Sequence, residues 1–330
     1  MLFEAREAWW YIPKNNLGHG KKGSQGASLY VAKNPEFGAL ITYYLRESVK
    51  SKKDLRKEKE TKLKKNKQPI EFPNWEDIDE ELIEVKTSIW LVINNPKGEQ
   101  IKKIALQTKK GMHRVNWDLS TESIRPITRK GSDVLNAKGK MVAPGQYFAV
   151  MIKEERGHIE VISDTIDIQL KALYKGSLKG AEPEEVALFW KEIEQLQSEM
   201  SIFYIDLRKA IDKTEKFQIA LNKSKASNAA IFQQLFLLRK EFVELEKEIH
   251  GPYAMRALDI EYKPTISQRI QVAAMGTNSS TYGPTPTHLR SLEIAKEELE
   301  LLKTKLQELQ KTILAIESSL QDIGAPIVIE

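Results

Sequence analysis

The chain has 330 residues, 41% of them apolar, and its 51 Lys and Arg against 46 Asp and Glu leave a formal net charge of +5. That length and apolar content fit two or three cored domains, exclude a disordered chain, and leave no basic excess for nucleic-acid binding unless it gathers on one face. Zero cysteines exclude disulfides, thiolate metal sites and a cysteine nucleophile, and no run approaches the ~20 apolar residues that span a bilayer.

The first residues lack the basic start and apolar core of a secretory signal peptide. They open directly into Ala8, Trp9, Trp10, Tyr11 and Ile12, an aromatic stretch that reads as the middle of a folded unit, so Met1 is expected to begin a fragment of a longer protein. Residues 9–12 and 27–32 read as short strands separated by a Gly-rich, polar loop over 15–26. Adjacent residues of a strand face opposite ways, so one of Trp9 and Trp10 is expected to bury while the other meets a partner. Residues 39–45 form a stronger strand, β-branched and aromatic, after Pro35 and Gly38.

A charged excursion follows over 48–86. Residues 50–67 carry ten basic residues against three acids and read as a helix; residues 71–84 carry seven acids and no base and read as a short acidic helix with Asn74 at its cap. The two blocks are expected to neutralise each other rather than form a patch for phosphate or anionic lipid, with Trp75 pinning the acidic helix to the sheet. Strands resume at 88–93 and 101–106 around a turn at 94–98, then at 113–119. After a loop over 120–141 come strands at 147–153 and 159–170, turned by Gly145 and Gly157. Trp90 and Trp117 fall in the sheet pattern as core. About seven short strands with frequent turns favour a sandwich over a parallel α/β sheet.

From Glu184 the period changes to alternating steps of three and four, running from Val186 through Leu221, from Ile231 to Ile249, and from Leu292 to Ile323. Sustained spacing of that kind is the signature of knobs-into-holes packing. Phe189, Phe203, Phe217, Phe232, Phe236 and Phe242 supply bulky layers, with Phe232 and Phe236 widening the second seam toward a third element. Between the second and third long helices, 264–274 reads as a short helix, Thr285 or Thr287 is available as a cap, and Gly324 with Pro326 ends the last helix.

No catalytic constellation emerges. The glycines at 18, 20 and 23 match G-x-G-x-x-G in letters, but a strand rather than a helix follows and no acid stands ~20 residues on, so the segment reads as a loop and not a dinucleotide site. The five histidines (19, 113, 158, 250 and 288) show no metal-binding spacing. His113, beside Trp117 and Asp118, is the one with a reading in chemistry, set against a structural place at a strand edge. Asp118 reads as an acceptor for the turn after its strand.

The pattern Gly-x-His-x-x-x-Trp-Asp at 111–118 and Pro-Gly-x-Tyr at 144–147, preceded by Leu91-Val-Ile-Asn-Asn-Pro-Lys-Gly98, resembles the FlgD-type immunoglobulin-like module. With residues 22–30, residues 34–45, the Lys-rich insertion, Trp75 and Gly324-Ala-Pro326, the wider chain resembles the C-terminal region of large bacterial sortilin-like β-propeller proteins. These are often labelled glycosyl hydrolases for their BNR or Asp-box repeats. The propeller itself is absent from this sequence, so no catalytic residue is carried over.

The resemblance implies export to the periplasm or beyond, and an upstream propeller or a separate protein as partner. The expected organisation is an aromatic strand and Gly-rich loop at 1–26 continuing that propeller, an FlgD-like sandwich at 27–175 with the insertion at 48–86, and a three-helix antiparallel coiled-coil bundle at 176–330. The expected fold class is therefore multi-domain α+β. The expected role is non-catalytic, with no cofactor and no metal, and Trp9, Trp10, Tyr11, Trp75 and His113 as candidate packing or interaction residues. Two rivals stand beside it: an accessory part of an exported hydrolase, with Trp9, Trp10 or His113 lining an open groove, and an assembly scaffold like the hook-capping protein, oligomerising through its helices.

Overall fold

The computed structural model describes residues 1–14, 34–85, 87–127, 137–155, 157–174, 176–226 and 228–329. The strand expected at 27–32, the Gly-rich loop with the G-x-G-x-x-G letters and His19 lie outside them. The fold is mixed α+β, and the chain divides into two compact units: Met1–Glu122 with Lys138–Ser177, and Ser123–Ala137 with Leu178–Glu330.

In the first unit, strands β1 (Ala8–Trp10), β3 (Ser88–Asn94), β4 (Gln100–Ala105), β8 (Gly145–Glu155), β9 (His158–Val161) and β10 (Ile166–Ala172) form a six-stranded sheet. Its order is β1-β10-β8-β3-β4, with β9 paired to β8. Among the described strands, only β1 and β10 run parallel. β2 (Ala39–Leu45) pairs antiparallel with β5 (Gly111–Trp117), and β6 (Ser120–Glu122) with β7 (Lys138–Met141). Residues Met1–Phe3 extend along the free edge of β2, with the Phe3 N–H donating to the Thr42 carbonyl at 3.1 Å.

One apolar core joins alternate residues of these strands. Ile41 and Tyr43 of β2, Ile89 and Leu91 of β3, and Met151 and Ile168 of β8 and β10 are all buried in it. Trp117 lies at its centre, fully buried, its ring 5.2 Å from Tyr147. Burying side chains of this size stabilises the fold by roughly 1.5–3 kcal/mol each.

Three expectations change here. The strand read over 159–170 is two, β9 and β10, broken at 162–165, where the Ile162 N–H donates to the Met151 carbonyl. The loop read over 120–141 contains the β6–β7 pair. Trp90, expected in the core, is only half-buried, with the Lys103 ammonium 4.5 Å above its ring.

Helices α1 (Lys52–Lys65) and α2 (Trp75–Ile83) form the charged excursion. Ser51 caps α1 with a full capping box through Asp54, and Asn74 stands at the N-cap of α2 without a side-chain cap bond. Neither helix buries a residue.

The second unit holds α3 (Pro183–Asn222), α4 (Ala229–His250), the short α5 (Tyr253–Ala257), α6 (Ile266–Asn278) and α7 (Pro286–Asp322). Ion pairs fix their directions. Glu192–Lys296 and Glu199–Lys303, each 2.7 Å, are both 104 residues apart, and Lys213–Glu317 at 2.9 Å continues the same offset. A constant offset advancing by whole heptads means α3 and α7 run in the same direction. Between α3 and α4 the order reverses: Tyr204 stacks edge-on with His250, and Arg208 meets Glu246 at 3.7 Å.

Three long heptad helices were expected, with a short one beside them. The structure gives α6 a full share of the packing, burying Ile266, Ile270, Ala273, Ala274 and Thr277, and anchors it to α7 through Glu298, which bridges Lys263 and Arg269. Thr285 is the N-cap of α7, its N–H donating to His288 Nδ1 at 3.1 Å. Among the described residues, no third element covers Phe232 and Phe236. Both are exposed, because the seam that packs α4 runs through Ile231, Leu235, Leu238 and Phe242.

Candidate interaction surface

The residues singled out from sequence occupy different surroundings. Trp9 and Trp10 take opposite faces of β1: Trp10 is buried with its indole N–H donating to the Val142 carbonyl at 2.7 Å, while Trp9 is 48% exposed. Trp9 pairs across the strands with Lys171, whose ammonium is 2.5 Å from Glu7. Tyr11 is half-buried, edge-on to Phe37 at 5.1 Å.

His113 lies on the core side of β5, where the register places it opposite Tyr43, and the two rings stack at 5.2 Å. Its Nε2 is 2.7 Å from the Lys109 carbonyl oxygen. Tyr43 also accepts the Gln107 N–H at 2.8 Å; burial raises its pKa and that hydrogen bond offsets part of the rise. These contacts give His113 a structural place.

Trp75 does not pin α2 to the sheet: it is 74% exposed and touches Phe72 edge-on. Arg56 joins α1 to α2 instead, forking onto both carboxylate oxygens of Glu81 at 2.6 and 2.8 Å and reaching Glu60 at 2.7 Å. Beside this fork lies a cleft of 690 Å³ lined by both helices and the segment joining them.

Asp118 does what its place after β5 suggested. Its Oδ1 accepts from the Ser120 N–H at 3.3 Å and from the Ser120 hydroxyl at 2.6 Å, and Lys138 lies 2.6 Å from its Oδ2. Burial alone would raise the Asp118 pKa, but the bonds from Lys138 and Ser120 together hold it below the usual carboxylate value. The turn they secure carries Leu119 at φ +57°, fully buried despite its left-handed backbone.

What sequence reasoning passed over is the face of the β2–β5 pair turned away from the core. Leu40, Thr42 and Tyr44 lie opposite Asn116, Arg114 and Met112 there, and Met112 is 66% exposed. A cleft of 410 Å³ on this face is edged by Glu4, Arg6, Glu7 and Arg114 around Leu40 and Thr42. Leu40, Tyr44 and Met112 are exposed on this face with Thr42 and Arg114 paired between them, and exposed apolar side chains set among charged ones suit a protein-binding surface. The signal was present in β2, whose odd residues Ile41 and Tyr43 and even residues Leu40 and Tyr44 are all apolar or aromatic; a strand with one solvated face alternates. Comparison of the chain with protein-family models, with curated proteins and with solved structures returned no match.

Proposed function

We propose that this chain is a non-catalytic interaction region of a sortilin-like β-propeller protein, in which an FlgD-like immunoglobulin sandwich docks on the propeller and a coiled-coil bundle follows it. The observation that carries the reading is the β2–β5 face, which presents Leu40, Tyr44 and Met112 to solvent around the central Thr42 and Arg114 while its opposite side is committed to the core. Support for the sandwich comes from Trp117 and Tyr147, the motif residues, which stack at the centre of that core. Support for the bundle comes from the heptad offset of the ion pairs between α3 and α7.

Trp9 extends the same logic. It stands exposed on β1, whose opposite face buries Trp10, and so adds an aromatic side chain to the surface of the same unit. Export and a location outside the cytoplasm follow from the same resemblance. Incubating the chain with a panel of glycosides and peptides tests the non-catalytic part: the expected result is no turnover, and hydrolysis abolished by one point substitution would overturn it.

A further inference from the structure

The groove between α3 and α4 carries a charge order that is complementary to itself. It is a 640 Å³ depression whose apolar floor and walls include Ile211, Ile219, Phe232, Phe236 and Val243. Phe232, Phe236 and Ile219 are each more than half exposed, although α4 already fills its core seam with other residues. Residues 232, 236, 239, 243 and 246 repeat at steps of four and three, so α4 carries a second seam parallel to the buried one.

The antiparallel register defined by Tyr204 with His250 and Arg208 with Glu246 orders the groove into levels. Ile211 comes level with Val243, Glu215 with Arg239, and Gln218 with Phe236. One wall therefore reads Arg, Ile, Glu, and the other reads Glu, Val, Arg. Among the described residues Glu215 and Arg239 form no ion pair.

We infer that this groove is filled by the same groove of a second copy, about a two-fold axis running along the helices. That axis lays α3 of one copy on α4 of the other at unchanged levels, so Arg208 faces Glu246, Ile211 faces Val243 and Glu215 faces Arg239. The exposed Phe236 meets Ile219 of the other copy. An axis across the helices pairs these charges only when centred on Ile211 and Val243, and it then carries Phe232 past the end of α4 at His250 and out of the groove, whereas the axis along the helices keeps it covered. Opposite-charge pairing in flanking positions is what sets partner and orientation in coiled coils. The groove lies within the helical unit alone, so its occupancy does not depend on what the β2–β5 face binds.

Sedimentation equilibrium of the full chain tests this directly. The wild type is expected at twice the 37.8 kDa chain mass at micromolar concentration. Arg239→Glu, exposed and without an ion-pair partner, is expected to weaken the dimer by about tenfold or more with an unchanged circular dichroism spectrum, and Arg239→Glu combined with Glu215→Arg to restore it. Because the chain has no cysteine, a mixture of Glu215→Cys and Arg239→Cys chains should form a mixed disulfide, while Arg239→Cys alone should not link to itself. A monomeric wild type would leave the groove to a different helix and overturn the proposal. So would a dimer indifferent to Arg239→Glu, or self-linking of Arg239→Cys.

Discussion

At the scale of single residues, the turn after β5 concentrates unusual demands. Leu119 holds a left-handed backbone with its side chain fully buried, and Asp118 secures the turn by accepting twice from Ser120 while Lys138 lies beside it. Because the folded-state pKa of Asp118 is depressed, its contribution is present above the ordinary carboxylate pKa and is lost as pH falls through the folded value. Asp118→Asn is therefore expected to cost about 1–2 kcal/mol at neutral pH, where charged hydrogen bonds are lost, and almost nothing at a pH low enough to protonate the wild type. Denaturant melts of both proteins across that range check the sign; a deficit that persists undiminished in acid would contradict the role given to the ionised carboxylate. Gly38 answers to backbone geometry instead. At φ +124° it lies where L side chains rarely go, and a Cβ there would clash with the Trp117 carbonyl oxygen. Gly38→Ala should cost roughly 3 kcal/mol or more in the same measurement.

At the scale of elements, two kinds of cohesion coexist. The α1–α2 pair buries no residue and is joined by ion pairs, Arg56 to Glu81 and Lys52 to Glu80; the bonds of Arg56 to Glu81 and, within α1, to Glu60 raise the pKa of the guanidinium, and that to Arg56 lowers the pKa of Glu81. Ion pairs at the surface are screened by salt, the partly covered Arg56–Glu81 pair less than the open Lys52–Glu80 pair, whereas apolar packing is not. Amide exchange in α1 and α2 should therefore accelerate in high salt and in Arg56→Met, while exchange in β3 and β8 stays unchanged; salt-insensitive α1 and α2 would refute cohesion by charge. The helices show the other kind. Leu299 is fully buried between its neighbours, so Leu299→Ala should cost about 2–5 kcal/mol by cavity formation.

Legibility from sequence followed the same division. Heptads from Val186 onward announced the long helices, because burial on one stripe imposes its period on the letters. α6 was read only as a short companion, because Ala273, Ala274 and Thr277 bury small side chains that carry little hydrophobic signal. Trp75 misled because an aromatic ring is read as an anchor, while the fixing of α2 lay in a fork from Arg56, 25 residues away from Glu81. The β6–β7 pair was missed for want of apolar alternation in Ser120–Glu122 and Lys138–Met141. The site was half legible: Trp9 and Trp10 had to diverge on a strand, but the β2–β5 face emerged only once the register set Leu40, Thr42 and Tyr44 opposite Asn116, Arg114 and Met112.

At the scale of the molecule, two units carry two kinds of surface. The β unit pairs Asp118 with Lys138 and Glu7 with Lys171, and leaves Leu40, Tyr44 and Met112 exposed on one face. The helical unit spends its long seams on internal packing and keeps a second seam open on α4. Both surfaces suit binding to other protein. The central claim, that the β2–β5 face docks an upstream β-propeller, is tested most directly by titration calorimetry of the chain with a separately produced propeller region of the same reading frame. Saturable binding that falls by about tenfold or more in Met112→Glu, with the fold intact, is the predicted result. Binding of equal strength by Met112→Glu, or no heat of binding with the wild type, would contradict it.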